Sequence, residues 1–174
     1  DVYKRQGTIS AGCWSYPDGG LHLGLDIASA MYSDVLAVAN GIVLYAHALV
    51  DSNNGYLGNW CGWPNGGGNT ICMVVAVNDR LYAISYAHLS NEIYVTSGQQ
   101  VSQGTVIAKS GNSGNSTGPH THVEVFELKQ DLNSIVEYFR NSGADFSFGC
   151  GYSEAATCSG YACRIDPETV LEGV

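Results

Sequence analysis

The sequence predicts a mainly β protein, an antiparallel sheet or sandwich-like domain with one helix. Its 174 residues are 45% hydrophobic and 13% charged and include 22 glycines and 11 tyrosines, a composition typical of β-rich proteins with many turns. Short apolar runs separated by Gly, Asn and Asp recur along the chain, as expected of strands joined by turns. One segment alone has the three- and four-residue apolar spacing of a helix.

The strands are predicted from the apolar runs and the turn residues between them. Asn40-Gly41 separates apolar residues 35–38 from 42–45, and Asn-Gly in such a position predicts a hairpin. Asn78-Asp79-Arg80 predicts a second turn. Further strands are expected at 70–77, 81–87, 106–108 and 122–126, with a tight corner at 98–104.

The helix is predicted from the spacing of four apolar residues: Leu132, Ile135, Val136 and Phe139. Asp131 can cap its start and Gly143 can end it. Beyond this helix the chain is irregular and cysteine-bearing. No linker marks a second domain, so we expect a single domain from residue 7 to 174. Residues 1–6 are expected to be disordered or artefactual, in a mature or trimmed chain that does not begin with Met.

Charge and hydropathy exclude several classes of partner. The formal net charge is -9, with only seven Lys and Arg residues, so the chain cannot build the basic surface that nucleic acids require. The same charge opposes binding to an anionic membrane surface. No apolar run approaches the ~18 residues that span a bilayer. We therefore expect that the protein neither binds nucleic acid nor inserts into a membrane. We also expect it to be a monomer.

The six cysteines are expected to form disulfides, because their number is even and no Cys-x-x-Cys pair is present. Cys61 and Cys72 bracket a Gly-rich loop and could close it. Three more lie within residues 150–163, so at least one of them must pair outside that cluster if all are bridged, and Cys13 is the obvious partner. Free buried thiols are the alternative.

Metal-ligand residues form the strongest functional signal. The chain has five histidines, and three of them fall in His22-Leu-Gly-Leu-Asp26 and His120-Thr-His122. In an extended segment His22 and Asp26 share one face. Two nitrogens and one oxygen suit a catalytic zinc site, which keeps a fourth position open for water. One histidine of the second pair could bind the metal while the other stands beside the open position, and His88 is a further candidate.

These segments resemble one known family. Its pattern is matched by His22-x-Gly24-x-Asp26, Tyr86-Ala87-His88-Leu89 and Gly118-Pro119-His120-Thr121-His122. The strand pair at 35–43, the corner at 98–104 and the glycine loop at 111–119 resemble it too. In this order, from about residue 7 to 126, the chain is similar to the lysostaphin/LytM-type zinc endopeptidases, which cleave peptides of bacterial peptidoglycan.

The resemblance implies a fold, a cofactor and a set of roles. His22, Asp26 and His122 would bind one Zn²⁺ per chain, while His88 and His120 would be catalytic, beside the water and the scissile carbonyl. Which of these two is the general base stays open. The implied protein is a bacterial, secreted or cell-wall hydrolase whose partners are peptidoglycan peptides.

Substrate contacts are expected from two polar loops. Trp60 and Trp63 lie in the long loop at 51–69 and could form a substrate platform or simply pack the loop. Asn112 in the glycine loop is a further candidate for substrate binding. A tyrosine could add an oxyanion contact, but with 11 tyrosines none can be nominated. His47 matches no motif.

The chain departs from the family pattern at two places, and we expect only the second to affect the architecture of the domain. Thr121 replaces an apolar residue between the two histidines and should point away from the metal. Asp166-Pro167 comes some 40 residues later than in the family. We therefore divide the domain into a core at 7–126, a cysteine-rich insertion at about 127–163 and a C-terminal segment at 164–174. The insertion could shape one wall of the cleft or only stabilise the domain.

Two other functions compete with the zinc endopeptidase. A non-catalytic relative could bind or regulate the cell wall, although all five expected positions are filled here. A biotinyl- or lipoyl-like carrier domain would share the 98–104 corner. Lys109 lacks the signature of such a carrier, and the histidines would be unexplained.

Overall fold

The described residues form a ten-stranded antiparallel sheet and a separate two-stranded sheet, which confirms the predicted fold class. The computed structural model describes residues 2, 5–55, 66–142 and 146–172. Its elements are β1 (Thr8–Ala11), β2 (Trp14–Ser15), β3 (Leu21–His22), β4 (Leu25–Ala28), β5 (Asp34–Leu36), β6 (Gly41–His47), β7 (Asn69–Val77), β8 (Arg80–Ile93), β9 (Gln100–Val101), β10 (Val106–Ser110), β11 (His120–Leu128), α1 (Leu132–Ser142), β12 (Ala162–Ile165) and α2 (Glu168–Leu171). Within the described ranges, neither helix is long and apolar enough to cross a bilayer.

Strand β11 lies inside the large sheet and has partners on both sides. The strand order is β1-β4-β11-β8-β7-β6-β9, and β10 pairs with both β5 and β8. On one side β11 pairs with β8. On its other side β4 pairs with residues 120–123 and β12 pairs with residues 125–128. The segment that follows α1 therefore returns to extend the sheet beside β11.

The two faces of the sheet carry different cores, because successive side chains of a strand point to opposite faces. The first core lies on the face that includes Ile71, Met73, Ile84, Val123 and Val125. The second core lies on the opposite face and brings α1 and the 146–162 region onto the sheet. Its buried members include Cys72, Ala83, Phe126, Ile135, Phe139, Phe146, Phe148 and Ala162.

One predicted hairpin is confirmed and the other is wrong. Val77 pairs with Arg80 across a turn in which Asn78 and Asp79 both have positive φ, as a two-residue hairpin requires. The Asn40-Gly41 segment does not pair the strands on either side of it. β5 pairs with β10, whereas β6 pairs with β7 and β9. Non-local pairing outweighs the local turn signal there, and the Asn40 side chain instead accepts a hydrogen bond from the Gln103 N–H.

The predicted helix is confirmed. α1 spans Leu132–Ser142, and the Asp131 carboxylate accepts a hydrogen bond from the Ser134 N–H, as an N-cap does. The predicted terminator, Gly143, lies outside the described residues. The short α2 was not expected from the sequence.

The expectation of disulfides is confirmed in part, but the two suggested pairings, of Cys61 with Cys72 and of Cys13 with the cluster, are not found. Cys158 and Cys163 form a disulfide within the cysteine cluster, while Cys13, Cys72 and Cys150 are free. Cys72 is fully buried between strands in the second core, so it does not close the loop that contains Cys61, itself outside the described residues. Cys13 donates a hydrogen bond to the Gly24 carbonyl.

The start of the described fold lies earlier than expected. Gln6, one of the six residues expected to lie outside the fold, is buried, and its side-chain carbonyl accepts a hydrogen bond from the Leu36 N–H. The division of the chain into core, insertion and C-terminal segment stays a prediction.

Phe148 offers a test of how firmly the region after α1 is attached to the sheet. Its buried ring lies 5.1 Å from the ring of Phe126 and 4.9 Å from that of Phe139. We expect Phe148→Ala to lower the free energy of unfolding by about 3–5 kcal/mol, because it leaves a cavity. Denaturant titration measures this, with the exposed Leu49→Ala as control. A loss below about 1 kcal/mol would contradict the packing described.

Candidate active site

Three candidate metal-ligand side chains converge at one point, two from the large sheet and one from the two-stranded sheet of β2 and β3. His22 comes from β3, Asp26 from β4 and His122 from β11, and their donor atoms lie within 4.8 Å of one another. Asp26 Oδ1 is 2.8 Å from His122 Nδ1 and 3.1 Å from His22 Nε2, and these two nitrogens are 3.2 Å apart. The antiparallel register sets His122 directly opposite Asp26.

The outward-facing nitrogens of both histidines are held by fixed acceptors. His22 Nδ1–H donates to the Gly12 carbonyl at 2.8 Å, and His122 Nε2–H donates to Glu124 Oε1 at 3.2 Å. These bonds set the ring orientations and direct His22 Nε2 and His122 Nδ1 toward Asp26. Two imidazole nitrogens and one carboxylate oxygen held in this way fit a zinc ion with an open coordination position.

Gly24 leaves the space that the His122 ring occupies. A Cβ atom at this position would lie 2.3 Å from the Val123 carbonyl oxygen and 2.9 Å from Cε1 and Nε2 of His122. Any side chain here would therefore displace a ligand ring or the strand that carries it. This is the physical reason for a glycine between His22 and Asp26.

His88 and His120 stand beside the three converging residues. His120 Nε2 is 3.6 Å from Asp26 Oδ1, and the His88 and His120 ring centroids are 4.8 Å apart. His120 Nδ1–H donates to the Gly118 carbonyl and His88 Nδ1–H to the Ser113 carbonyl, each at 2.8 Å. In the neutral state each ring therefore keeps an unprotonated Nε2 that can accept a proton.

A bulge in β8 directs His88 into the site. Two residues of β8, Ala87 and His88, are set against Thr70 alone, because Ile71 pairs with Tyr86 and Asn69 with Leu89. His88 itself has a φ of 59°, which is unusual for a residue other than glycine. Before this point β8 pairs with β11, and after it β8 pairs with β10. Bulges of this kind re-aim side chains near functional sites.

Burial and neighbouring charges separate the pKa values of these groups. Burial, with help from His120 and His122, lowers the pKa of His88 to about 3. Burial also lowers the pKa of His120, although Asp26 opposes the shift. At His122 burial is outweighed by hydrogen bonds to Asp26 and Glu124, which raise its pKa to about 10. The same bond network overcomes burial at Asp26 and holds its pKa below the usual range. The metal-free site therefore pairs a protonated His122 with an ionised Asp26 beside two neutral histidines.

A cavity of about 330 Å³ opens beside this group and is lined by three of its members, His22, His88 and His122. The predicted loops contribute Gly66, Gly67 and Asn115, and the predicted insertion contributes Phe146 and Tyr152. The insertion therefore does line the cleft, one of the two alternatives left open by the sequence. The lining residues are Tyr16, Leu21, His22, Leu23, Gly66, Gly67, Ala87, His88, Asn115, His122, Glu124, Phe146 and Tyr152.

The structure describes one of the three predicted substrate-binding residues, and it does not place that residue at the cavity. Trp60 and Trp63 lie outside the described residues. Asn112 does not line the cavity, because its side-chain amide donates to Asn53 and joins two loops. Asn115, from the same loop as Asn112, lies at the cavity instead.

Sequence reasoning missed three residues around the site. Tyr16 stacks on His22, with ring centroids 4.2 Å apart. Glu124 could have been found, since it lies two residues after His122 on a predicted strand and so on the same face. Arg164, which contacts Glu124, carried no sequence signal, because its position depends on β12 pairing with β11.

In the described residues, His22, Asp26 and His122 form a candidate cation site with His88 and His120 beside it, and this arrangement on an antiparallel sheet is typical of a metallopeptidase domain. Residues 20–134 match peptidase family M23. The match covers more than half of the chain, and the chain belongs to this family.

Two curated relatives illustrate the family. The chain is 32% identical over 114 residues to the peptidoglycan DD-endopeptidase ShyA of Vibrio cholerae, covering 66% of this chain and 22% of ShyA. It is 32% identical over 143 residues to lysostaphin of Staphylococcus simulans, covering 79% of this chain and 24% of lysostaphin. The chain therefore spans less than a quarter of the length of either relative.

Solved structures show the same fold. The catalytic domain of the antimicrobial peptidase lysostaphin from Staphylococcus simulans superposes with a TM-score of 0.56 at 26% identity, over 76% of this chain and 94% of that one. A zinc-containing peptidase from Vibrio cholerae superposes with a TM-score of 0.51 at 28% identity, over 71% of this chain and 34% of that one.

The contact between Gly24 and His122 predicts the effect of adding one methyl group. We expect Gly24→Ala to weaken zinc binding about 10- to 100-fold, as do other changes that reorient a ligand. Competition with a chelating dye measures the affinity. Gly160→Ala, whose added methyl group would meet nothing within 4 Å, is the matched control. Unchanged zinc affinity in Gly24→Ala would contradict the proposed position of the His122 ring.

The lowered pKa of His88 predicts how the metal-free protein responds to acid. Because its pKa falls from 6.5 to about 3 on folding, the unfolded chain binds more protons between these values, and stability falls as the pH decreases. The slope from this group approaches about 1.4 kcal/mol per pH unit below pH ~6. The stabilisation from His122 is already complete there and adds no slope. Denaturation between pH 6 and 5 measures the effect, and His88→Gln should flatten it. A pH-independent wild type would contradict this account.

Proposed function

We propose that this chain is the catalytic domain of a zinc metalloendopeptidase that hydrolyses peptide bonds in bacterial peptidoglycan. One observation carries the proposal. A three-donor candidate cation site lies beside two histidines with free Nε2 atoms, and His22, His88 and His122 of this group line one cavity. Membership of peptidase family M23 supports it, as do the names of the relatives, a peptidoglycan DD-endopeptidase and lysostaphin.

In this proposal His22, Asp26 and His122 hold one Zn²⁺ per chain. The donor set has a single negative charge, which leaves net positive charge on the ion. A bound zinc would polarise the peptide carbonyl and lower the pKa of water toward ~7. The Gly12 carbonyl and Glu124 keep the two ligand rings in the orientation that binding needs.

His120 is the better candidate for the general base. Its pKa is lowered by burial, but Asp26 and the Gly118 carbonyl oppose that shift and would stabilise the protonated ring. His120 Nε2 takes a proton from the attacking water and returns it to the leaving amine. His88, with a pKa of about 3, stays neutral and accepts a hydrogen bond at Nε2, which orients the water or the substrate amide.

The cavity wall suggests how a peptide would be held. Gly66 and Gly67 allow close approach of a substrate backbone, while Tyr16, Phe146 and Tyr152 present aromatic rings. Tyr16 is our candidate for the tyrosine that contacts the developing oxyanion, since it stacks on a ligand ring. The protein would act outside the bacterial cytoplasm, on the cell wall, as a monomer. Trp60 and Trp63 remain candidates for substrate contacts.

Digestion of purified peptidoglycan tests the proposal and identifies the bond. Sacculi with glycine bridges and sacculi with directly linked stem peptides are incubated with the zinc-loaded protein, and the fragments are identified by mass spectrometry. New amino termini from either substrate support the proposal, and the substrate cut identifies the bond. About one zinc per chain without cleavage of any substrate would favour a non-catalytic wall-binding protein, and a modified lysine without zinc would favour a carrier domain.

Two classes of variant should separate metal binding from catalysis. His120→Ala is expected to lower peptidoglycan cleavage about 10²- to 10⁴-fold, because the proton acceptor is lost, while zinc content stays near one per chain. His22→Ala and Asp26→Ala should instead lose zinc, since each removes a direct ligand. Metal analysis and fragment release measure the two effects. His47→Ala is the control, and wild-type activity in His120→Ala would refute the role of His120.

A further inference from the structure

A buried ion pair lies directly behind the candidate metal site. Arg164 Nε donates to Glu124 Oε2 at 2.8 Å, and the exposed fractions of the two side chains are 0% and 5%. Arg164 is among the largest fully buried side chains of the described residues. It lies on β12, thirty residues beyond the segment that matches the peptidase family.

The second carboxylate oxygen of Glu124 connects this ion pair to the metal site. Glu124 Oε1 accepts the Nε2–H of His122 at 3.2 Å. Because that nitrogen donates to Glu124, the Nδ1 atom of the same ring faces Asp26 and His22. A continuous set of polar contacts thus runs from Arg164 through Glu124 to a metal ligand.

The remaining guanidinium donors hold a loop at the cavity wall. Arg164 Nη2 donates to the Gly151 carbonyl at 2.7 Å, and Nη1 to the Glu154 carbonyl at 3.4 Å. Between these two residues lies Tyr152, which lines the cavity. The same side chain therefore contacts both the neighbour of a metal ligand and the loop that forms part of the cleft.

We propose that Arg164 is a positioning residue that orients the metal ligand His122 through Glu124 and fixes the 151–154 loop at the substrate cleft. The inference rests on the proposed zinc endopeptidase function. It gives the segment after α1 a role in the chemistry as well as in the wall of the cleft.

A stabilising role alone does not account for the arrangement. Burying a guanidinium and a carboxylate together costs desolvation free energy that a pair of apolar side chains of similar size would avoid. An apolar pair could not supply directional hydrogen bonds. The fork of Arg164 places fixed donors on Glu124 and on two loop carbonyls at once.

Two substitutions of Arg164 separate its two contacts. Arg164→Met removes both, so we expect the zinc dissociation constant to rise about 10- to 100-fold and KM for peptidoglycan fragments to rise as well. Arg164→Lys keeps a positive charge that can face Glu124, but it lacks the several fixed N–H donors of the guanidinium group. It should restore most of the zinc affinity and leave KM raised.

Arg80→Met is the matched control. Arg80 Nη1 donates to Glu127, which lies on β11 as Glu124 does, and the distance of 2.8 Å equals that of the Arg164–Glu124 contact. Unlike that contact, this pair is largely exposed. Its loss should change neither zinc affinity nor KM. Zinc affinity is measured by chelator competition and ligand geometry by the visible spectrum of the Co²⁺-substituted protein, with circular dichroism showing that each variant is folded. A merely stabilising residue would leave the cobalt spectrum of the folded protein unchanged.

Glu124→Gln keeps the test decisive if Arg164→Met does not fold. A glutamine of the same shape must turn its NH₂ group toward either Arg164 or His122, both donors, so one contact is lost and zinc affinity should fall about tenfold. Wild-type zinc affinity and an unaltered cobalt spectrum in Arg164→Met, or in Glu124→Gln where only that variant folds, would overturn the inference while leaving the proposed function intact. A wild-type protein that binds no zinc would overturn the proposed function itself, and the inference with it.

Discussion

The site depends on the register of one strand, β11, against its two neighbours. His122 lies opposite Asp26 of β4 on one side and opposite Ala87 of β8, the residue before His88, on the other. This row across three strands therefore brings Asp26 and His122 together and places His88 close to them, although the three are far apart in the chain. Because side chains alternate between faces, a slip of one residue would move His120 and His122 into the apolar core on the other face. Burial of Val123 and Val125 in that core opposes such a slip.

The same alternation explains why a late segment of the chain lies close to the candidate metal site. His122, Glu124 and Phe126 point to one face of β11, and β12 pairs beside the latter half of that strand. Side chains that pack on Phe126 are therefore neighbours of the residue that holds His122. The segment after α1 stabilises the second core, contributes Tyr152 and Phe146 to the cleft, and places Arg164 against Glu124. Packing and site geometry share one face of the sheet.

Local patterns predicted those features that are set by neighbouring residues. The helix at 132–142 follows from its spacing and cap, and the turn at Asn78-Asp79 from residues that tolerate positive φ. The Asn40-Gly41 hairpin failed because β5 and β6 each find other partners in the sheet. The disulfide pairings failed for a similar reason: spacing along the chain does not fix which sulfurs meet. Once folded, Cys158 lies beside Cys163 and Cys72 lies within the core.

The sequence by itself determined the fold class and identified five candidate site residues, His22, Asp26, His88, His120 and His122, because their types and spacings can be read along the chain. Only the tertiary structure decided how these residues are oriented. The bulge that aims His88, the carbonyls that hold the Nδ1–H groups of His88 and His120, and the Arg164–Glu124 contact all arise where distant segments meet. Strand register and burial set ring orientation and proton affinity, and neither can be read from the order of residues alone.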